Sequence, residues 1–470
     1  MTAPTRARPA ATPDAGTAPA TVPTIPPHAE GPVGPVGPAD LPDDLVDGLV
    51  AVLDLVRRGV ARTRPEVVRA SGLGRSVVAG RVARLLELGV LDEHGTAPSS
   101  GGRAPRELAL RHDAGVVLVA PLGASRLTVG VTDLAGTLLA SLDEPASIAD
   151  GPGPVLDRVD ELFARLLDGL AAERGDVPVW GVGVGLPGPV EFLSGRPNRP
   201  PIMPGWDDAD VRARLSERWD APTWVDNDVN LMALGEVVAR RHARQGRAPL
   251  GDRPDQPEDM LFVKVGTGIG AGLVARGRLL RGAHGCAGDI GHVEAPGGAD
   301  VVCRCGNTGC LEAVAGGAAL VRRAAEMAAD GTSPALARLA AAAPGGLGVE
   351  EVVRAAQEGD RTSVEMVQAS GHLVGQVLAT LVNFFDPGLL VLGGRLGAGS
   401  DLLLASVRQG VYQRSLPLAT RDLRVESAAA GDDPGLAGAA AMVLDELFGR
   451  EQLRRWLPQG SPSGRRATAA

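Results

Sequence analysis

The chain has 470 residues, 44% of them hydrophobic, enough for two or three domains with their own cores. Its net charge of -9 gives no whole-protein basis for nucleic-acid binding, so any such role must be local. No stretch reaches the roughly 18 unbroken apolar residues that span a bilayer, and the N-terminus lacks a signal-peptide core. Both point to a cytoplasmic protein away from membranes. Lys264 is the single lysine. With 64 glycines and 37 prolines, that bias reflects GC-rich coding, and arginine counts are discounted accordingly.

Residues 1–38 are mostly Ala, Pro, Thr and Gly and should be a disordered tail, because they cannot bury enough surface to offset chain entropy. From Asp40 the pattern changes. Leu45, Leu49, Val52, Leu53 and Val56 recur at helical spacing. Thr63, with Glu66 three residues on, is a capping box opening a second helix that ends at Ser71-Gly72. A third runs from Arg75 to about Leu88. Helix, glycine turn, helix is a helix-turn-helix outline. Val90-Leu91 and Leu108-Ala109-Leu110, either side of the glycine-rich stretch 95–102, read as a hairpin wing. Between Arg57 and Arg111 eleven arginines face five acids, the concentrated charge that neutralises DNA phosphates. In the third helix Val78, Val82 and Leu85 make an inward stripe. Ser76, Val77, Ala79 and Gly80 are small enough to approach base edges. Arg75, Arg81, Arg84, Arg103 and Arg106 surround them as phosphate contacts. A small protein-interaction module is the alternative reading of these helices.

Beyond Asp113 strands and helices alternate. Strands at 116–120, 127–131 and 137–142, a helix near 153–174 and a strand at 178–185 form one series. Strands at 261–265 and 271–275, a helix near 361–385, a strand at 389–392 and a helix near 434–449 form another. Two lobes built from similar halves suit a cleft-binding fold. Residues 244–258 and 343–348 read as surface loops, and the end of the chain, from Leu457 onward, as a further tail.

Three of the four cysteines fall within eight positions, Cys303, Cys305 and Cys310, with His292 eleven residues upstream. Three thiolates and an imidazole are a tetrahedral structural zinc set, and Gly306 and Gly309 would let the loop fold back on itself. Cys286 reads as a buried thiol rather than a ligand. Spare reduced thiols suit a reducing compartment.

These motifs carry a family likeness. Gly288-Asp289-Ile290-Gly291-His292 and the cysteine loop ending Gly309-Cys310-Leu311-Glu312, with Asp226-Asn227-Asp228-Val229-Asn230 and Val265-Gly266-Thr267-Gly268-Ile269-Gly270, resemble the ROK family (repressors, open reading frames and kinases), in its DNA-binding branch. The likeness covers about 40–450. It implies an α/β fold, an N-terminal winged helix-turn-helix (39–112) followed by a two-lobed, actin-like, sugar-kinase-type ROK domain (113–450), with a C-terminal tail (451–470). It also implies a ligand set. In the family's kinases the aspartate of the Asn-Asp pair is the general base on a sugar hydroxyl, here Asp228. Asn227 would hold a neighbouring hydroxyl, and Asp289, His292 and Glu312 match further sugar contacts, Asp289 being one methylene shorter than the usual glutamate.

The phosphate half departs from the kinase pattern. Where actin-like kinases carry Asp-x-Gly-Gly-Thr, this chain has Pro121-Leu122-Gly123-Ala124-Ser125, and no Asp or Glu occurs from 114 to 132. Phosphoryl transfer needs a metal to neutralise developing charge, so Asp228 would be a vestigial base. The resemblance therefore implies a sugar-responsive transcriptional regulator. Its partners would be operator DNA and a sugar or sugar-phosphate effector, and it would act as a homodimer or tetramer. A sugar kinase with an accessory DNA-binding domain is the alternative.

Overall fold

A computed structural model describes residues 41–95, 106–245, 259–343, 345–429 and 433–463, and the residues from Leu41 on form one compact unit. The expected tail at 1–38, Arg103, most of the wing's glycine-rich stretch and residues 246–258 of the expected loop lie outside the described residues. Helices α1 (Asp43–Arg57), α2 (Arg64–Ser71) and α3 (Arg75–Glu87) pack around Leu49, Val52, Leu53, Val78, Val82 and Leu85. The capping box forms: the Glu66 carboxylate accepts from Thr63 N at 3.0 Å, and Thr63 Oγ1 accepts from Glu66 N. Strands β1 (Leu91–His94) and β2 (Glu107–Leu110) pair antiparallel as the wing.

The two following lobes share one topology. In the first sheet β3 (Val116–Pro121), β4 (Arg126–Asp133) and β5 (Leu138–Pro145) form an antiparallel meander. β6 (Val179–Leu186) joins parallel to β3, and β9 (Thr223–Asn227) parallel to β6, giving the order β5-β4-β3-β6-β9. A two-stranded ribbon, β7 (Val190–Glu191) and β8 (Arg196–Pro197), lies between them in sequence. The second sheet repeats the arrangement as β12-β11-β10-β13-β14, from β10 (Met260–Val265), β11 (Ile269–Ala275), β12 (Arg278–Leu280), β13 (Leu389–Gly393) and β14 (Arg424–Ser427). The β3–β4 and β10–β11 turns are therefore structural equivalents.

Helices α4 (Pro152–Arg174) and α5 (Val211–Trp219) cover the outer face of the first sheet. α7 (Leu311–Ala315), α8 (Gly317–Ala329), α9 (Pro334–Ala342), α10 (Val349–Gln357), α11 (Arg361–Phe385), α12 (Gly394–Gly399) and α13 (Asp401–Arg414) build the second lobe, with the short α14 (Pro417–Thr420) after them. Between the sheets lie α6 (Asp228–Gln245) and α15 (Pro434–Leu447). They touch backbone to backbone: a Cβ at Gly438 would stand 1.7 Å from Leu231 O, and one at Gly235 would stand 2.0 Å from Pro434 O. Only glycine permits that approach.

The expected tail at 451–470 is corrected over its first part, and so is the tail expected from Leu457. Residues Arg450–Trp456 form α16, Trp456 and Leu457 are buried, and the chain is described to 463. Trp456 joins Trp180 and Phe448 in an aromatic cluster with centroids 5.7 and 6.5 Å away. Arg450 and Arg454 reach the acidic first turn of α1, Arg450 Nε lying 2.6 Å from Asp47. The sequence cue missed was a pair of aromatic anchors, Phe448 and Trp456, each needing a partner to leave water. Among the described residues no helix is long and apolar enough to cross a membrane.

Candidate functional site

The two equivalent turns open on one cleft of about 610 Å³, and Asn227, Asp228, Asp289, His292 and Glu312 all line it. β9 ends at Asn227 and α6 begins at Asp228, so the strand-to-helix junction delivers both side chains. Asn227 is largely used by the fold. Its amide oxygen accepts from Val229 N at 2.9 Å and Asn230 N at 3.3 Å, and its amide nitrogen donates to Gly188 O at 3.0 Å. One amide N–H is left for a ligand. Asp226, buried beside it, accepts from Asn230 Nδ2 and from Arg281 Nε at 2.6 Å, bracing the junction from behind.

Asp228 is buried, and its Oδ2 is taken by the Lys264 ammonium reaching across from β10. Sequence reasoning noted Lys264 only as a compositional oddity. The available signal was one lysine among 47 basic residues, placed two positions before the Gly266-Thr267-Gly268 turn. Glu312 accepts from Ile269 N at 3.3 Å. Asp289 keeps contact with solvent, yet the concave wall around it strips water from its carboxyl. That loss pushes its pKa up, His292 opposing and Glu312 reinforcing.

Behind this wall Cys303, Cys305, Cys310 and His292 converge, their ligand atoms all within 4.8 Å of one another. The loop folds by a backbone pair between Cys303 and Asn307 and by positive φ at Gly306 and Gly309. His292 Nδ1 stands 3.8 Å from Cys303 Sγ, and the Cys305 and Cys310 sulfurs are 3.6 Å apart. A tetrahedral ion with ligands at about 2.0–2.3 Å needs edges of roughly 3.5–3.8 Å, so these four residues fit a metal. Burial, reinforced by its thiol neighbours, pushes the Cys310 thiol up to about 12. A cation is what would hold such a group as thiolate. With Nδ1 turned to the thiols, the other ring nitrogen of His292 is left for the cleft. Cys286 is outside the cluster and exposed, correcting the expectation of a buried thiol; its side chain sits on the surface beside His284.

The phosphate half holds no carboxylate on the β3–β4 turn, but two arrive from elsewhere. Asp143 on β5 binds Arg126 and, at 2.9 Å, Thr128. Asp433 accepts from Leu436 N at the start of α15, and burial pushes its carboxyl up. Asp133 sits at the far end of β4, accepting from Ala135 and Thr137 amides.

On the other module, Arg75, Ser76, Val77, Ala79, Gly80 and Arg84 are exposed along α3. Arg84 lies 3.1 Å from Glu87, and Arg106, on the wing, 3.5 Å from Glu93. Arg81 departs from the expected phosphate-contacting role. It turns inward over Gly48 of α1 and pairs with Asp44 at 3.3 Å. Its length lets it reach the acidic turn of the neighbouring helix instead of solvent.

The model of the ROK family matches residues 121–446. A putative xylose repressor of Caldicellulosiruptor sp. is 28% identical over 82% of this chain and 92% of its own length. A glucokinase of Halalkalibacterium halodurans is 29% identical over 69% of this chain and 94% of its own. Among solved structures, a ROK family transcriptional regulator described as a homologue of the E. coli Mlc protein superposes with a TM-score of 0.70 at 24% identity. It covers 87% of this chain and 98% of its own, a likeness of fold. A family match over more than two thirds of the length, on this doubled α/β fold with its paired turns, makes the chain a member of the ROK family.

Proposed function

We propose that the protein is a sugar-responsive transcriptional regulator, acting as a repressor, with residues 39–112 on operator DNA and residues 113–450 on a sugar. One observation carries the reading: a helix-turn-helix with an exposed α3 face is built into the same compact unit as a cleft lined by Asn227, Asp228, Asp289, His292 and Glu312. Relatives named xylose repressors support it, because they match 82% of the chain where the glucokinase matches 69%. Zinc on His292, Cys303, Cys305 and Cys310 would be structural, fixing the loop that leads into Glu312. Sugar hydroxyls would donate to Asp228 and Glu312, while the remaining Asn227 N–H and the second His292 nitrogen serve ring or hydroxyl oxygens. Arg75 and Arg84 would contact phosphates, Ser76, Val77, Ala79 and Gly80 base edges, with Arg106 on the wing and Arg103 as further phosphate contacts. A single winged helix reads too few base pairs for genomic specificity, so the working form is a homodimer or a tetramer of two such dimers, within the reducing cytoplasm.

The glucokinase relatives keep a second reading in view, an ATP-dependent sugar kinase. Two features count against it. The turn that should organise a metal lacks an acid, and Asp143 and Asp433 are engaged by Arg126 and by the α15 backbone. The would-be base Asp228 is tied to Lys264, so one of its two oxygens is withheld from a sugar hydroxyl. The test is to select a duplex from a random pool with the full chain, then titrate it across a sugar panel while following ATP consumption. A sugar that shifts duplex affinity without ATP turnover is the expected result. Robust turnover, with duplex affinity indifferent to every sugar, would reverse the ranking.

A further inference from the structure

A second cavity, of about 380 Å³, lies where α1 of the DNA-binding module meets α6 and α15. Arg57 and Arg58 enter it from α1, Arg241 and His242 from α6, and Asp445 from α15. Arg57 is shared between Asp54 and Asp445, and Arg58 lies 2.7 Å from Asp54. Three guanidiniums thus face two carboxylates. Arg241 is the one left over: among the described residues its side chain meets only the Gly277 carbonyl, at 3.3 Å. The buried Nε of Arg57 has no hydrogen-bond partner. Loss of solvation disfavours the Arg241 charge, Arg58 and Arg57 add to that, and Asp445 and Asp54 only partly offset it.

We propose that this pocket is a second ligand site, for a phosphate monoester of sugar size. A planar guanidinium pairs with phosphate oxygens in bidentate fashion. The carboxylates that hold Arg57 and Arg58, Asp54 and Asp445, are 40% and 47% exposed, so they can turn to solvent and release the guanidiniums to an incoming dianion. The volume exceeds what bare phosphate needs, and the apolar wall at Leu134 and Leu444 can cover a small organic body. The cleft has the opposite character. Its cations Lys264, Arg126 and Arg395 are each matched to a carboxylate, leaving Asp289, Glu312 and Asp433 as surplus acids. A neutral sugar suits the cleft, and its phosphorylated counterpart suits the joint. A ligand there touches α1 and α6 together, linking the DNA-binding module to the helix that starts at Asp228.

The experiment is calorimetric titration of the full chain, free of DNA, with inorganic phosphate, glucose 6-phosphate and glucose, at ionic strength held constant with chloride. Arg241→Gln removes the leftover guanidinium. Val60→Glu places a carboxylate at the mouth, on a residue 62% exposed, so folding is spared. Both variants should weaken anion binding at least tenfold without moving glucose affinity, and Asp228→Asn should leave anion binding unchanged. Inorganic phosphate binding as well as glucose 6-phosphate supports a site that reads the phosphate alone. Glucose 6-phosphate binding better supports one that also covers the sugar body. No anion binding by the wild type, anion binding unmoved in both pocket variants, or anion binding lost in Asp228→Asn would each overturn the proposal. None of these results bears on whether neutral sugars enter the cleft.

Discussion

Asp228 shows how one contact changes what a cleft carboxylate can do. A carboxylate with both oxygens open could take a proton from a sugar hydroxyl. Paired with Lys264 it is an acceptor with one oxygen engaged, beside an ammonium that can donate to a neighbouring hydroxyl. On the proposed reading, recognition by charge-assisted hydrogen bonds would survive while proton abstraction is disfavoured. Asp228→Asn keeps the size and removes the charge, so it should weaken sugar binding ten- to a hundredfold, about 1.5–3 kcal/mol. Duplex binding without ligand should be unchanged. Calorimetry and duplex titration on one preparation check both halves; loss of duplex affinity together with sugar affinity would point to misfolding. Lys264 was hidden from sequence reasoning because the pair spans two lobes, and nothing in local spacing brings residue 228 to residue 264.

The elements divide by how local their causes are. The third helix, the hairpin wing, the 25-residue α11 and the capping box at Thr63 were legible because period, cap and glycine stop act within a few residues. The cysteine cluster was legible for the same reason, three thiols sitting on one loop. α16 was not, since its stability comes from Trp180, on a strand more than 270 residues earlier in sequence, and from acids on α1. The inward turn of Arg81 depends likewise on a helix outside its own neighbourhood. Two predictions follow at this scale. Cys305→Ser should leave one zinc ligand short, lower bound zinc from one to a fraction per chain, and weaken sugar binding through Glu312. Elemental analysis finding as much zinc in the variant as in the wild type would remove Cys305 from the ligand set. Trp456→Ala should cost about 3–5 kcal/mol, as for other buried Trp truncations, and loosen the DNA-binding module first. Hydrogen exchange should show α1 amides losing protection ahead of those in β10 and β13.

At the scale of the molecule, the helix pair between the sheets is the direct route from cleft to DNA-binding module. α6 begins at the cleft-lining Asp228 and carries Arg241 in its second half. α15 is capped by Asp433, which lines the same cleft, and near its other end carries Asp445, which holds Arg57 of α1. A ligand can change operator affinity only if its binding free energy differs between two arrangements of these parts. The close approach at Gly235 and Gly438 makes the pair move as one body, since neither helix can slide without driving backbone into backbone. Gly438→Ala puts a methyl where Leu231 O stands, so the helices must separate. Overpacking against side chains costs about 1–3 kcal/mol and against backbone more, to be set against the roughly 5–15 kcal/mol that holds a domain folded. The variant should therefore fold with a lower melting temperature and still bind sugar, with the residues that touch it intact. Its operator affinity should respond to sugar much less than the wild type's, because the displaced helices no longer pass the same motion to α1. Duplex titrations with and without saturating sugar measure that ratio directly. An undiminished ratio in a measurably destabilised variant would place the coupling elsewhere, in the contact between α16 and the acidic turn of α1.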